Sequence, residues 1–184
     1  MMRRLLLLLL IAGPASASDT PRVQPTRDVD VVYAVSGPRG LLPQRLRWGV
    51  TSGHLRIDPP SPGLFAVIDL SHHSIATVRE ADHSVIETEM PAQTLPGVLP
   101  QGRFTRADTA TVAGLACTNW QTEDAAGQTV TACLTEDGVL LRAATPATTL
   151  LEAVEVTYGA LPDAVFRIPA DYRKITPAAP SRSQ

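Results

Sequence analysis

The sequence predicts a mainly β, antiparallel fold with little helix, and three observations predict it. Apolar residues recur at every second position in several separate segments, which is the period of a strand with one buried face. Turn chemistry rich in Gly, Pro, Ser and Asp falls about every 8–12 residues. Finally, 16 prolines are spread along the 184 residues. A proline in a helix interior costs about 3 kcal/mol, so this spread argues against a helical bundle.

The elements follow in order. Val29, Val31, Tyr33 and Val35 alternate with Asp30, Val32, Ala34 and Ser36, and Ser36–Gly40 stops this first strand with turn residues. Leu46, Trp48 and Val50 alternate with Arg45, Arg47 and Gly49, and Leu55 and Ile57 with His54, Arg56 and Asp58. With Thr51–Gly53 between them, these two runs predict a hairpin. The apolar run Leu64–Leu70 suits a strand buried on both faces. Ile75–Arg79 and Ser84–Glu89 extend it into a meander, with turns at His72–Ser74 and Glu80–His83. Pro91–Gln101 reads as a loop and Gly102–Arg106 as a strand entering the cysteine region. Asp137-Gly138 is a tight-turn signal, which pairs Val139–Ala143 back onto the cysteine-bearing strand. Leu150–Tyr158 is the expected final strand, and Leu161–Ala164 one helical turn, with Pro162 where its missing N–H is harmless. About nine or ten short strands result, and a sandwich, a closed barrel or a strongly curved half-barrel each satisfies them.

Domain organisation is read from the two ends. Met1-Met2-Arg3-Arg4, the run Leu5–Ile11, the break at Gly13-Pro14 and the small residues Ala15-Ser16-Ala17 follow the order of a secretory signal. The run is shorter than the roughly 20 apolar residues of a membrane span. Residues 1–17 are therefore expected to be a cleaved signal peptide, 18–27 a leader, 28–173 a single β-rich domain and 174–184 a disordered tail. No transmembrane segment is expected in the mature chain, and the location is periplasmic or secreted. The whole chain carries a formal charge of −2, and losing Arg3 and Arg4 leaves it more acidic. Such a chain offers no basic stripe to a nucleic acid.

The only two cysteines, Cys117 and Cys133, lie beyond the signal segment, where an even pair forms a disulfide by default. Thr118–Thr122 and Gln128–Ala132 read as partner strands around the turn residues Glu123–Gly127. A hairpin centred on Ala125 sets Cys117 opposite Cys133, and a loop of this length contributes about 3 kcal/mol. Trp120 falls three residues after Cys117, so on a regular strand the two face opposite ways. Either both faces are covered there or a bulge intervenes.

The order of these features carries a resemblance. Thr111–Trp120, with its apolar-x-Gly-x-x-Cys-x-x-aromatic spacing, resembles a segment of an uncharacterised group of exported bacterial proteins. That group is related to the LolA/LolB-like lipoprotein carriers. Leu64–Leu70, Cys133–Val139 and Phe166–Tyr172 are similar to other segments of the group, and the likeness spans roughly residues 28–173. The resemblance implies a strongly curved antiparallel sheet, a half-barrel around an apolar concave face. The helices that cover this face in the carriers have no counterpart in the proline-rich Pro91–Gln101.

Few residues invite chemistry. His72 and His73 are adjacent and point to opposite faces of a strand, while His54 and His83 lie apart, so exposed turn histidines are expected rather than a metal site. Glu87 and Glu89 share one strand face and read as a solvated surface. No Gly-x-Ser-x-Gly elbow and no Gly-rich phosphate loop occurs. No enzyme activity, metal or cofactor is expected. Val31, Tyr33, Trp48 and Val156 fall on apolar strand faces and are the candidate lining of a ligand cavity, although ordinary core would use the same residues. Two functions follow. One is a non-catalytic periplasmic carrier or binding module for an amphiphile such as an acyl chain or a lipoprotein. The other is an envelope protein–protein interaction or structural domain without a small ligand. An open concavity above about 300 Å³ favours the first and a filled sheet interior the second.

Overall fold

A computed structural model describes residues 20–91, 104–123 and 127–176. The expected signal segment, most of the Pro91–Gln101 loop, the hairpin centre at Ala125 and the tail beyond residue 176 lie outside the described residues. Alternation appears as strands wherever it was read. The strands are β1 (Val29–Gly37), β2 (Gly40–Gly49), β3 (His54–Asp58), β4 (Leu64–Asp69), β5 (Ser74–Arg79) and β6 (Ser84–Glu89) in the first part of the chain. In the second part they are β7 (Thr105–Val112), β8 (Leu115–Glu123), β9 (Thr129–Leu134), β10 (Leu140–Ala144), β11 (Thr149–Tyr158) and β12 (Arg173–Ile175).

All twelve belong to one sheet in the order β12-β6-β5-β4-β3-β2-β1-β11-β10-β9-β8-β7. Two meanders, β1–β6 and β7–β11, are joined through the antiparallel pair β1–β11, with Val31 opposite Val156. β7 also touches β11, although three strands separate them in the sheet.

Several boundaries differ from those expected. β2 begins at Gly40 and contains Pro43, which pairs with Ala34 of β1, whereas β3 joins β2 only from Arg45 onward. Pro43 therefore lies where β2 has no neighbour on its other side, a position at which the missing N–H costs little. The strand expected over Gly102–Arg106 is instead β7, and it turns into β8 at Ala113-Gly114, with φ 48° and 76°. Positive φ at both central residues is the two-residue hairpin geometry that follows the sheet twist. The expected final strand is also not the last. Arg173–Ile175 pairs with β6 in parallel, so the expected tail begins too early and the sheet is not wholly antiparallel. Pro162 precedes a 3-10 turn over Asp163–Phe166, two residues later than read.

The cysteines form a disulfide with a Cα–Cα distance of 5.4 Å. Their register corrects the expected one: Cys133 faces Asn119, and Glu123 faces Thr129. The register is displaced toward the C-terminal strand, where Gly127 has φ 75°. The resulting slip is by two residues, which preserves side-chain parity. Cys117 and Cys133 thus share a face as diagonal neighbours.

The sheet carries apolar clusters on both faces. The larger joins Val29, Val31, Tyr33, Trp48, Leu55 and Ile68 to Val112, Cys117, Cys133, Val139, Leu141 and Ala153. On the opposite face of β4–β6, Phe65, Val67, Ala76, Val78 and Val85 pack beneath Phe166, with Leu161, Val165, Ile168 and Tyr172 around it. β4 is therefore buried on both sides. The same holds for β8, since Cys117 and Trp120 are both buried. Cys117 joins the large cluster, while Trp120 lies beneath the Arg106 guanidinium, 5.9 Å from its ring centroid.

Candidate functional site

Register builds the principal site. Val31 faces Leu46 and Val29 faces Trp48 across β1–β2, so the apolar alternations of both strands point to one side. Tyr33 continues the row, and Val35 faces Leu151 of β11. These side chains enclose an apolar cavity of about 190 Å³, completed by Val139, Leu140 and, from the leader, Val23 and Pro25. Tyr33 is 6 % exposed and Trp48 7 %. The Tyr33 hydroxyl donates to the Leu140 carbonyl at 2.7 Å, which satisfies the one polar group of this buried ring. Burial, with Tyr158 nearby, pushes the Tyr33 phenol far above its ordinary range and keeps it protonated. Such a wall offers mainly apolar surface and shape, with Gln44, opposite Tyr33, as its polar side chain.

Three of the four expected lining residues, Val31, Tyr33 and Trp48, come together there. Val156 sits opposite Val31 and packs against the same cluster without lining the cavity. The leader residues went unread. Their signal was present in the sequence, since Pro21, Val23 and Pro25 repeat the period-two pattern of the strands.

Beyond the cavity, apolar surface continues to the β1–β2 hairpin end. Leu42 faces Val35 on the cavity side and is 39 % exposed, whereas Leu41, opposite Ser36 and 69 % exposed, and Leu150, next to Leu151 and 39 % exposed, alternate to the other face.

At the opposite end of the cavity the leader is held by Asp137. Its carboxylate accepts hydrogen bonds from Arg27 Nε at 2.8 Å, from the Thr135 hydroxyl at 2.6 Å and from the Tyr158 hydroxyl at 3.1 Å. Burial alone would raise this carboxyl, but the bonds from Thr135, Arg27 and Tyr158 outweigh it and hold it below the usual range. The Arg27 guanidinium also stacks 3.7 Å from the Tyr158 ring centroid.

The histidines and carboxylates gather elsewhere. On the face away from the cavity, His54, Asp69, Ser74 and Glu89 form one cross-strand row over β3–β6. They border a cleft of about 430 Å³ whose apolar side is Val67, Ala76, Phe166 and Ile168. His54 Nδ1 donates to the Ser52 carbonyl at 2.6 Å, and its Nε2 lies 3.7 Å from Asp69. Ser71 and His72 also bond Asp69; although burial would raise its carboxyl, these bonds lower it strongly. Ser74 stands beside Asp69 rather than beside His54. Two strand spacings, about 9–10 Å between backbones, separate it from His54. His73 and His83 close the β4–β5 and β5–β6 turns with φ 52° and 47°, and His83 stacks on Tyr172. Among the described residues, no group of three or more His, Cys, Asp or Glu could hold a metal ion. No helix there is long and apolar enough to cross a membrane.

The sequence matches no protein-family model and no curated protein. Its fold is similar to that of solved structures. One is the crystal structure of an uncharacterised conserved protein from Thermus thermophilus, with TM-score 0.61 and 14 % identity over 83 % of this chain and 91 % of that one. Another is MucB in complex with MucA(peri), with TM-score 0.46 and 12 % identity over 84 % of this chain. The chain spans 58 % of that MucB chain. At these identities the likeness is one of fold.

Proposed function

We propose that this chain is an exported, non-catalytic binding module that takes an apolar segment of a protein partner against the face bearing Val31, Tyr33 and Trp48. The observation that carries this reading is the continuity of the apolar cavity with the exposed side chain of Leu42, which faces Val35 of the cavity wall. Exposed contiguous apolar surface next to a preformed cavity is characteristic of interaction sites. At about 190 Å³ the cavity is smaller than most small-molecule sites, which begin near 300 Å³. A protein segment lying across cavity and rim therefore suits it better than an enclosed acyl chain. The sheet is read as strongly curved around this face. In support, β7 touches β11, although a flat sheet would set them about 19 Å apart. The disulfide supports work in an oxidising compartment after removal of residues 1–17. Residues 28–176 are read as a single domain.

The reading is tested by placing a photo-crosslinking residue at Leu42 and irradiating the native host. The expected result is a discrete protein adduct that disappears in the Val35→Asp background. A lipid adduct seen by native mass spectrometry, without a protein one, would establish the carrier instead. No adduct of either kind would remove this face as a binding surface.

A further inference from the structure

The described part of the leader is more than a lead into β1. Pro21 and Pro25 are buried and Val23 half-buried, while Arg22, Gln24 and Thr26 are exposed. This is the side-chain pattern of an extended segment docked by one edge, yet these residues belong to no strand of the sheet. Val23 and Pro25 form a wall of the cavity, over Val31, Tyr33 and Trp48. Pro21 borders a neighbouring groove beside Trp120.

The segment is fastened at its C-terminal end. Thr26 N donates to the Asp137 carbonyl at 3.0 Å, and Arg27 Nε donates to the Asp137 carboxylate at 2.8 Å. Glu136 adds a second carboxylate beside Arg22 and Thr26. The backbone approach is close enough that a Cβ on Gly138 would collide with the Gln24 carbonyl.

We infer that residues 21–27 occupy in cis a docking groove for an extended segment of a partner protein. That segment has the same chemistry: apolar residues, proline among them, at alternate positions, followed by an arginine for Asp137. The inference rests on the binding-module reading above and names its ligand. Two independent features define the occupant. The apolar cavity accepts alternate side chains, and the Glu136–Asp137 turn supplies negative charge where the basic residue arrives. The leader is then a self-inhibiting strap. A tethered segment competes at an effective concentration on the order of millimolar, so a partner enters only when it outcompetes the strap or when the Arg27–Asp137 latch is released.

The experiment uses the full chain and a fluorescent peptide copying Thr20–Arg27 as the probe. Binding is followed by anisotropy to the wild type and to the variant Val23→Asp/Pro25→Asp, which frees the groove of its own strap. The expected result is binding at least about tenfold tighter to the variant, given the millimolar competition in cis. A peptide carrying Asp at the positions of Val23 and Pro25 is expected to lose that binding. If the double variant loses its cooperative melt, Arg27→Ala is used, which leaves the apolar contacts intact and is expected to give a smaller gain. Amide exchange of Val23–Thr26 is expected to accelerate in Arg27→Ala while that of β1 stays unchanged. Equal binding to wild type and a folded variant, or none to either, overturns the strap. Either result together with a persisting Leu42 crosslink overturns the strap alone and leaves the binding module standing.

Discussion

The two wings of the sheet are held in different ways. At one side β4–β6 have apolar residues on both faces, and the chain folds back to cover the second face with Phe166, Ile168 and Tyr172. Arg56 ties this cover to the sheet by donating to the Val165 carbonyl at 3.0 Å. At the other side β7 is mostly exposed, with Val112 its buried residue. There β8 and β9 are joined by the Cys117–Cys133 bridge. The difference shows how composition sets the means of support. A wing with enough apolar side chains recruits a covering segment, whereas a wing built of Thr, Ala and Asp gains its restraint from a covalent link that narrows the unfolded ensemble.

The comparison is broken most directly by Phe166→Ala. Removing a buried aromatic costs about 3–5 kcal/mol, and amide exchange is expected to rise across β4–β6 while β8–β9 keep their protection. Uniform loss over both wings would show that they do not differ. The opposite cut is the double variant Cys117→Ala/Cys133→Ala, expected to cost about 3 kcal/mol for a loop of 16 residues. Urea unfolding measures it, and exchange is expected to rise first in β7–β9.

Gly49→Ala sharpens the contrast within the first wing. A Cβ there would sit 2.7 Å from the Phe166 ring, and overpacking costs about 1–3 kcal/mol. In the Phe166→Ala background that cost is expected to fall to what Ser52 Oγ, 2.5 Å from the same Cβ, imposes, and a cycle of four melts reads the coupling. If the cost persists in full, the ring is not what Gly49 accommodates.

Ala113→Gly acts on the second wing and in the opposite direction. Ala113 has φ 48°, a conformation that costs a non-glycine residue roughly 1 kcal/mol. The glycine variant is expected to raise the urea midpoint by a corresponding amount, and a lowered midpoint would contradict the turn assignment.

The smallest effect is expected from acid. Burial would raise the Asp58 carboxyl, but the hydrogen bonds of Arg56 and Arg47 hold it below the usual range. A carboxyl depressed in the folded state contributes stability that is present above its unfolded pKa of about 3.9. That contribution is lost as pH falls through the folded value. Asp58→Asn is expected to flatten the acid limb of the stability curve slightly, as measured by melts between pH 5 and 2; an unchanged limb would mean that these ion pairs are fully solvated.

Much of the fold was legible in the sequence because period two is a local property. Val29–Val35, Leu46–Val50 and Leu64–Leu70 each declare a strand and a buried face without reference to any other segment. The Ala113-Gly114 hairpin was hidden because Thr105–Thr111 has little apolar alternation, and β12 because three residues carry no period. The cavity was partly legible: Val31, Tyr33 and Trp48 advertise their side, whereas Val23 and Pro25 lie in a segment whose prolines and polar residues read as a connector.

By itself the sequence determined most of the strands and turns, the parity of Cys117 and Cys133, and the apolar face that carries the candidate site. These depend on neighbours a few residues apart. Only the tertiary structure decided that β1 joins β11, that Cys133 faces Asn119, that Val156 packs behind the cavity rather than lining it, and that the leader lies across it. Each is a pairing between segments distant in the chain, selected by which apolar faces can be buried together. Alternation specifies that a face must be covered, but which segment covers it is settled only when the whole chain competes for the place.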